Sequence, residues 1–197
     1  ARVVSRTQAI ENQCPEDPIF GQVEMNSHVD TCVLGKNFII LHSTGRECDV
    51  YPYTDSYEGI KGIQIVTGAT SWTCQVTGET FVLVVHEALW MPESLKHSLV
   101  NPNQLRAHGT TIQDNPFDRS PMSLVDPEEI VEIPMLLDGT NVGFTTRSPS
   151  QDELDGCKHI HLSSQHEWDP ANMKVPRFDL SALDTEDAPS DGCDDQD

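Results

Sequence analysis

The chain has 197 residues, 37% hydrophobic and 6% aromatic, enough for one good-sized domain or a domain with an appendage. No apolar run approaches the roughly 18 residues of a helical membrane span, so a membrane-spanning chain is not expected. The formal charge of -20 is concentrated late, with 12 acidic and 7 basic side chains up to Gly109 but 20 and 5 beyond it, a field that repels phosphates and argues against direct binding to nucleic acid or anionic membranes.

Residues 1–18 are polar and end in Cys14-Pro15-Glu16-Asp17-Pro18, which reads as a lead-in. The opening Ala1-Arg2-Val3-Val4 carries no apolar signal segment, so the expectation is a cytosolic chain or one whose leader or upstream polyprotein has been removed. From Ile19 to Val100 the texture is β: Cys32-Val33-Leu34, Phe38–Leu41, Ile63–Val66 and Phe81–Val85 are short, β-branched apolar runs separated by Gly, Asp and Ser. Thr77-Gly78 between Thr73–Val76 and Thr80–Val85 predicts a tight hairpin. Gly59, Gly62 and Gly68 bracket a run that reads either as a flap over a groove or as ordinary hairpin turns. A short helix is predicted over 101–107, with Asn101 as cap, Pro102 in the first turn and Gly109 closing it.

Beyond Gly109 the pattern thins into a β-rich extension, 110–179. Ile130–Met135 and Val142–Thr146 read as two strands around an Asp138-Gly139 turn. Residues 180–197 form an acidic tail with seven acidic groups and no base, a composition that favours disorder. Six cysteines (Cys14, Cys32, Cys48, Cys74, Cys157, Cys193) include no CxxC pair; three disulfides and six reduced thiols both remain open. Cys157-Lys158-His159-Ile160-His161, with His166 nearby, alternates soft ligands, and a surface strand is the preferred reading over zinc. Trp72, Trp90 and Trp168 each sit beside apolar sequence and read as core or groove anchors. Ser43 and Ser71 lack a nucleophile-elbow context, so no serine hydrolase is indicated.

The stretch Val23-Glu24-Met25-Asn26-Ser27-His28-Val29-Asp30-Thr31-Cys32-Val33-Leu34-Gly35 resembles the active-site loop of retropepsins, two apolar residues then D-[ST]-G-A-[DS] and an apolar strand. It is similar to a variant in copia-type retrotransposons of algae and related protists, D-S-H-A-D-T-C-x-x-G, matching it at His28, Asp30, Thr31, Cys32 and Gly35. On that resemblance Asn26 stands at the catalytic aspartate, Ser27 at the supporting hydroxyl, and Asp30 at a residue that binds substrate backbone or steadies the loop. Thr77–Thr80, Val84–Trp90 and Leu95–Arg106 are similar to later segments of the same protease, and the likeness thins through Thr146–Pro149, His161–Ser164 and Trp168-Asp169-Pro170, about 150 residues in all.

The resemblance implies a mostly β, retropepsin-like closed sheet or barrel over 19–109 and an ancestral aspartic endopeptidase acting on a polyprotein without a cofactor or metal. Such enzymes use two carboxylates sharing one proton. Each subunit supplies one, so the implied active form is a homodimer or higher homo-oligomer. An asparagine amide has nearly the shape of a carboxylate but cannot take a proton from water, so the chain is expected to be inactive as written. Asn26 is either native or a replacement that stops self-cleavage. Alternatively Asp30-Thr31-Cys32 is the catalytic triplet, with Cys32 badly suited to a position where glycine gives the backbone room. A second reading is a repurposed, non-catalytic assembly protein that polymerises through strand or tail exchange. A retrotransposon product would be cytoplasmic; a repurposed one is compatible with an extracellular place.

Overall fold

The computed structural model describes residues 14–52, 58–95 and 97–173; most of the lead-in, the tip of the longest hairpin and the acidic tail 180–197 lie outside them. The protein is mostly β. In chain order come β1 (Phe20–Met25), β2 (Val33–Leu34), β3 (Ile39–Val50), β4 (Ile60–Thr73), β5 (Thr80–Trp90), β6 (Ser98–Val100) and helix α1 (Pro102–Arg106). They are followed by β7 (Thr111–Gln113), β8 (Ser123–Val125), β9 (Glu132–Pro134), β10 (Leu136–Asp138), β11 (Asn141–Arg147), α2 (Gln151–Gly156), β12 (Lys158–His161) and a 3-10 turn at Pro170–Asn172.

The main sheet runs β10-β11-β1-β6-β2-β5-β4-β3, with β12 added in parallel along the first half of β5. One bridge, Arg147↔Ser71, links β11 back to β4. β5 is buried from Phe81 to Leu89 because it is paired on both edges and covered on both faces. Its alternation sends Phe81, Leu83 and Val85 into the main core and Val82 and Val84 into a second cluster with Ile39 and Ala69. A third cluster, Val33, Ile65 and Leu89, sits where β2 meets β5.

The long β3–β4 hairpin changes register three times, between Ile40 and His42, Ser43 and Arg46, and Cys48 and Val50. Each irregularity adds twist and bends the hairpin out of the plane of the sheet. The β4–β5 turn falls where Thr77-Gly78 predicts it, with Cys74 N bonded to Glu79 O and Gly78 N to Cys74 O, both at 2.8 Å. The strand stops at Thr73, so Cys74–Val76 belong to the turn rather than to the strand the sequence suggests.

The Asp138-Gly139 turn is also present, but its first strand is β10, not the Ile130–Met135 run. Part of that run forms β9, which pairs with β8 in a separate three-stranded sheet, β7-β8-β9. Its apolar alternation is satisfied there: Ile133 is fully buried beside Leu124 while Glu132 faces solvent. The extension is not a separate layer. β11 pairs along β1 from Phe20 to Glu24, and β12 pairs with Phe81–Val84.

Two glycines mark where backbones pass too closely for a side chain. A Cβ on Gly143 would overlap Val23 O, across the β1–β11 pair. A Cβ on Gly35 would meet Leu95 O at 2.9 Å and His97 O at 3.2 Å. Gly35 N instead donates to Ser98 Oγ (2.9 Å), which donates to Asn37 Oδ1 (2.7 Å); Asn37 Nδ2 reaches Thr146 Oγ1 (2.7 Å). This buried chain of polar groups ties β6 to β11 with each member satisfied.

Candidate functional site

β1 and β6 run parallel, Met25 opposite Val100, so the chain leaves both strands at the same end. From β1 emerges the loop 26–32, and from β6 the helix α1. Asn26 N donates to Val100 O (2.9 Å), extending the pairing by one residue. The Asn26 side chain accepts from His28 N (2.9 Å), an Asx turn that folds the loop back at once. Asn26 is half-buried, while Ser27, His28 and Asp30 are exposed. The structure therefore brings the three expected site residues onto one loop, with Asn26 at its inner end.

The rest of the loop is held by α1. Asn101 is its N-cap, accepting from Asn103 N (2.7 Å) and Gln104 N (3.2 Å), and its Nδ2 donates to Val29 O (2.6 Å). Gln104 Oε1 accepts from Cys32 N (2.8 Å), while Leu89 N donates to Cys32 O (2.8 Å). Cys32 Sγ accepts from Asn101 N (3.3 Å). Cys32 is fully buried, and burial pushes its thiol up to about 12. It is a packing residue and not a nucleophile. Burial of Cys32 also answers how a side chain is housed at that point of the loop: it packs into the core beside α1.

Gln104 also donates to the carbonyls of His86 (3.3 Å) and Glu87 (3.1 Å). Glu87 is 3% exposed with φ of +54°, a left-handed backbone that costs a non-glycine residue about 1–2 kcal/mol. Its carboxylate is ion-paired with Arg46 of β3 and accepts from Trp168 N (3.1 Å). Trp168 Nε1 donates to Asp30 O (2.8 Å). Arg46 Nη1 also lies 3.2 Å from Glu167 Oε1, an ion pair without hydrogen-bond alignment. Asp30, Arg46 of the β3–β4 hairpin and the segment after β12 thus meet around Glu87.

The neighbouring His86 ring lies edge to edge with His161 of β12, nearly coplanar, with centroids 5.1 Å apart. Its Nε2 lies 2.8 Å from His161 Nδ1, and its Nδ1 lies 3.0 Å from Thr67 Oγ1. Burial, then the fields of His161 and His108, pulls His86 down to about 4; burial, then His159 and His108, lowers His161 as well. His159 Nε2 pairs instead with Leu154 O at 2.9 Å. β12 has only Ile160 buried, and its histidines diverge. Among the described residues no three His, Cys, Asp or Glu side chains converge as a metal would require. Trp72 is a core residue stacked on Phe81, centroids 6.2 Å apart.

Sequence reasoning finds Asn26, Ser27 and Asp30 by motif, and Asn101 as a helix cap. It misses Glu87, Gln104 and the placement of Trp168. A buried acid within an otherwise apolar strand (Val84-Val85-His86-Glu87-Ala88) is the available signal, since such a group needs a cationic partner. The chain matches no protein-family model, no curated protein and no solved structure.

Proposed function

We propose that the chain is an aspartic endopeptidase domain of retrotransposon origin whose loop 26–32 is the catalytic loop, disabled by Asn26 at the position of the reacting carboxylate. The observation that carries this reading is the placement of Asn26. It lies at the end of β1, anchored to Val100 O and braced by its own Asx turn, on a loop whose next residues are exposed. An aspartate there would be presented to solvent at a fixed depth with no rebuilding of the loop.

The cycle of pairings β1–β6–β2–β5–β4–β11 supports a closed sheet of the retropepsin kind, with the β3–β4 hairpin as its flap. One subunit offers one such loop, so the active arrangement is a homodimer with two loops facing each other around a peptide substrate. Ser27 steadies the loop and Asp30 faces the substrate backbone. Loss of the general base alone removes about 10²–10⁴-fold in rate, and replacing both aspartates of the dimer removes the acid too. The test is Asn26→Asp: cleavage of an unfolded protein substrate is expected to appear with it, and a statine-containing peptide is expected to block it.

A second reading, a non-catalytic assembly protein, is favoured by one feature. β10 is the outer strand of the main sheet, and Leu136 and Leu137 on it are 74% and 48% exposed. An outer strand with apolar residues on both faces is a template for pairing with another chain. Mass in solution separates the two: a dimer suits the protease, long polymers the assembly protein.

A further inference from the structure

After β12 the chain is first anchored and then reaches the outer part of loop 26–32 at Asp30. Leu162 is buried, with its N donating to Val84 O and its O accepting from Thr110 Oγ1, both at 2.9 Å. Ser163 Oγ clasps residue 86 from both sides, accepting from His86 N (2.8 Å) and donating to His86 O (3.0 Å). Past Ser164 the character changes. Gln165, His166 and Glu167 are exposed, and Trp168 is half-buried. This stretch reaches the loop and hairpin through Trp168 Nε1 to Asp30 O, Trp168 N to the Glu87 carboxylate, and Glu167 to Arg46.

The receiving surface is also held by residues outside the segment. Glu87 is held by Arg46 through its carboxylate and by Gln104 through its carbonyl, in a backbone conformation that the surroundings must enforce. It presents an acceptor pair, Asp30 O and Glu87 Oε2, beside a guanidinium. Such a surface fits an extended peptide that brings an acidic side chain followed by a residue with a backbone N–H and an aromatic N–H donor. Glu167-Trp168 is that pair, supplied by the chain itself.

We propose that Asp30, Glu87 and Arg46 form a docking surface for a short acidic–aromatic peptide segment, occupied in cis by Glu167-Trp168. Because Asp30 closes the outer end of loop 26–32, a peptide running along that loop must displace Trp168 or stop short of it. The docking stands on the contacts alone; that it regulates access to the catalytic groove rests on the proteolytic reading. The segment is suited to exchange, since its fixed end is buried at Leu162 and Ser163 while Trp168 bonds Asp30 O at the surface and leaves Asp30 exposed.

The test uses the full chain and a labelled synthetic peptide of residues 164–173, followed by fluorescence anisotropy. Trp168→Ala releases the cis segment, so the peptide is expected to bind that variant at least about tenfold more tightly than it binds the unaltered chain. A peptide with Trp168 replaced by Ala should not bind. Equal binding to both chains, or none to a Trp168→Ala chain shown by circular dichroism to be folded, overturns the proposal. If Trp168→Ala does not fold, Trp168→Phe removes the indole donor and keeps the bulk, with the same expected order.

A second arm compares Asn26→Asp with Asn26→Asp/Trp168→Ala on unfolded casein. Release is expected to lower KM with kcat unchanged. Cleavage with an unmoved KM and no peptide binding sinks the docking surface and leaves the protease reading intact. Peptide binding without cleavage by either variant does the reverse.

Discussion

Asn101 and Gln104 hold the loop that carries Asn26, yet neither belongs to the motif. Asn101 uses its oxygen to cap α1 and its nitrogen to fix Val29 O, so the helix and loop share one amide. Gln104 is 3% exposed and serves Cys32 N and the carbonyls of His86 and Glu87. Gln104→Ala leaves a buried N–H and two carbonyls without that partner, and is expected to cost about 1–3 kcal/mol in denaturant unfolding. A change within error of zero would mean that water replaces the side chain and that α1 does not brace the loop. The helix cap is readable from Asn101-Pro102, since capping is a local property of backbone and side chain. Its second bond, to a residue 72 positions away, leaves no local trace in the sequence.

At the scale of elements, Glu153 makes the charged tie between α2 and the sheet while Leu154 packs on the second core cluster. Glu153 completes a capping box with Ser150, accepts from Ser71 Oγ (3.1 Å) and pairs with both guanidinium nitrogens of Arg147. Hydrogen bonding from Arg147, working against partial burial, holds its carboxyl down at about 2 from an ordinary 4.5. The folded state therefore holds the group ionised where the unfolded state protonates it. Its contribution is full above about pH 4.5 and drains as pH falls toward 2. Glu153→Gln is expected to lower thermal stability at neutral pH and to flatten the pH dependence within that window. An unchanged acid limb would show that the pair is too solvated to count.

The β1–β11 pair makes a second, purely steric statement. Gly143→Ala would drive a Cβ into Val23 O, and a backbone atom cannot swing aside. A loss of about 1–3 kcal/mol is expected, with a lower thermal midpoint; retention of wild-type stability would contradict this pairing. Strand composition makes β2, β3, β4 and β5 legible, because alternation and turn residues are local. It leaves open which partners the later strands take. Ile130–Met135 is readable as apolar and extended, but the choice of β8 over β11 depends on where Leu124 and Ile133 can be buried together.

For the whole molecule, the hydrogen-bonded His86–His161 pair sets the acid response nearer neutrality than Glu153 does. Both rings bind protons less readily folded than unfolded, so the unfolded state gains protons first as pH falls below about 6.5. Stability is highest above that value and declines toward pH 4, where His86 itself titrates. His86→Gln is expected to remove much of the decline between pH 6.5 and 4, read by thermal unfolding across that range. The long-range ties across this region, β12 onto β5 and Trp168 onto Asp30, are what composition does not supply. His159-Ile160-His161 reads as a surface strand, and it is one, but its partner lies more than seventy residues earlier.

On the proposed proteolytic reading, catalysis turns on the identity of the side chain at the end of β1. The direct measurement is cleavage of an unfolded polyprotein-like substrate between about pH 4 and pH 7, comparing this chain with its Asn26→Asp variant. Cleavage by the Asn26→Asp variant alone is the expected result, and it fixes loop 26–32 as a catalytic loop silenced by one amide. Cleavage by the chain as it stands, abolished by Asp30→Asn, would contradict the account and move the reacting carboxylate to Asp30.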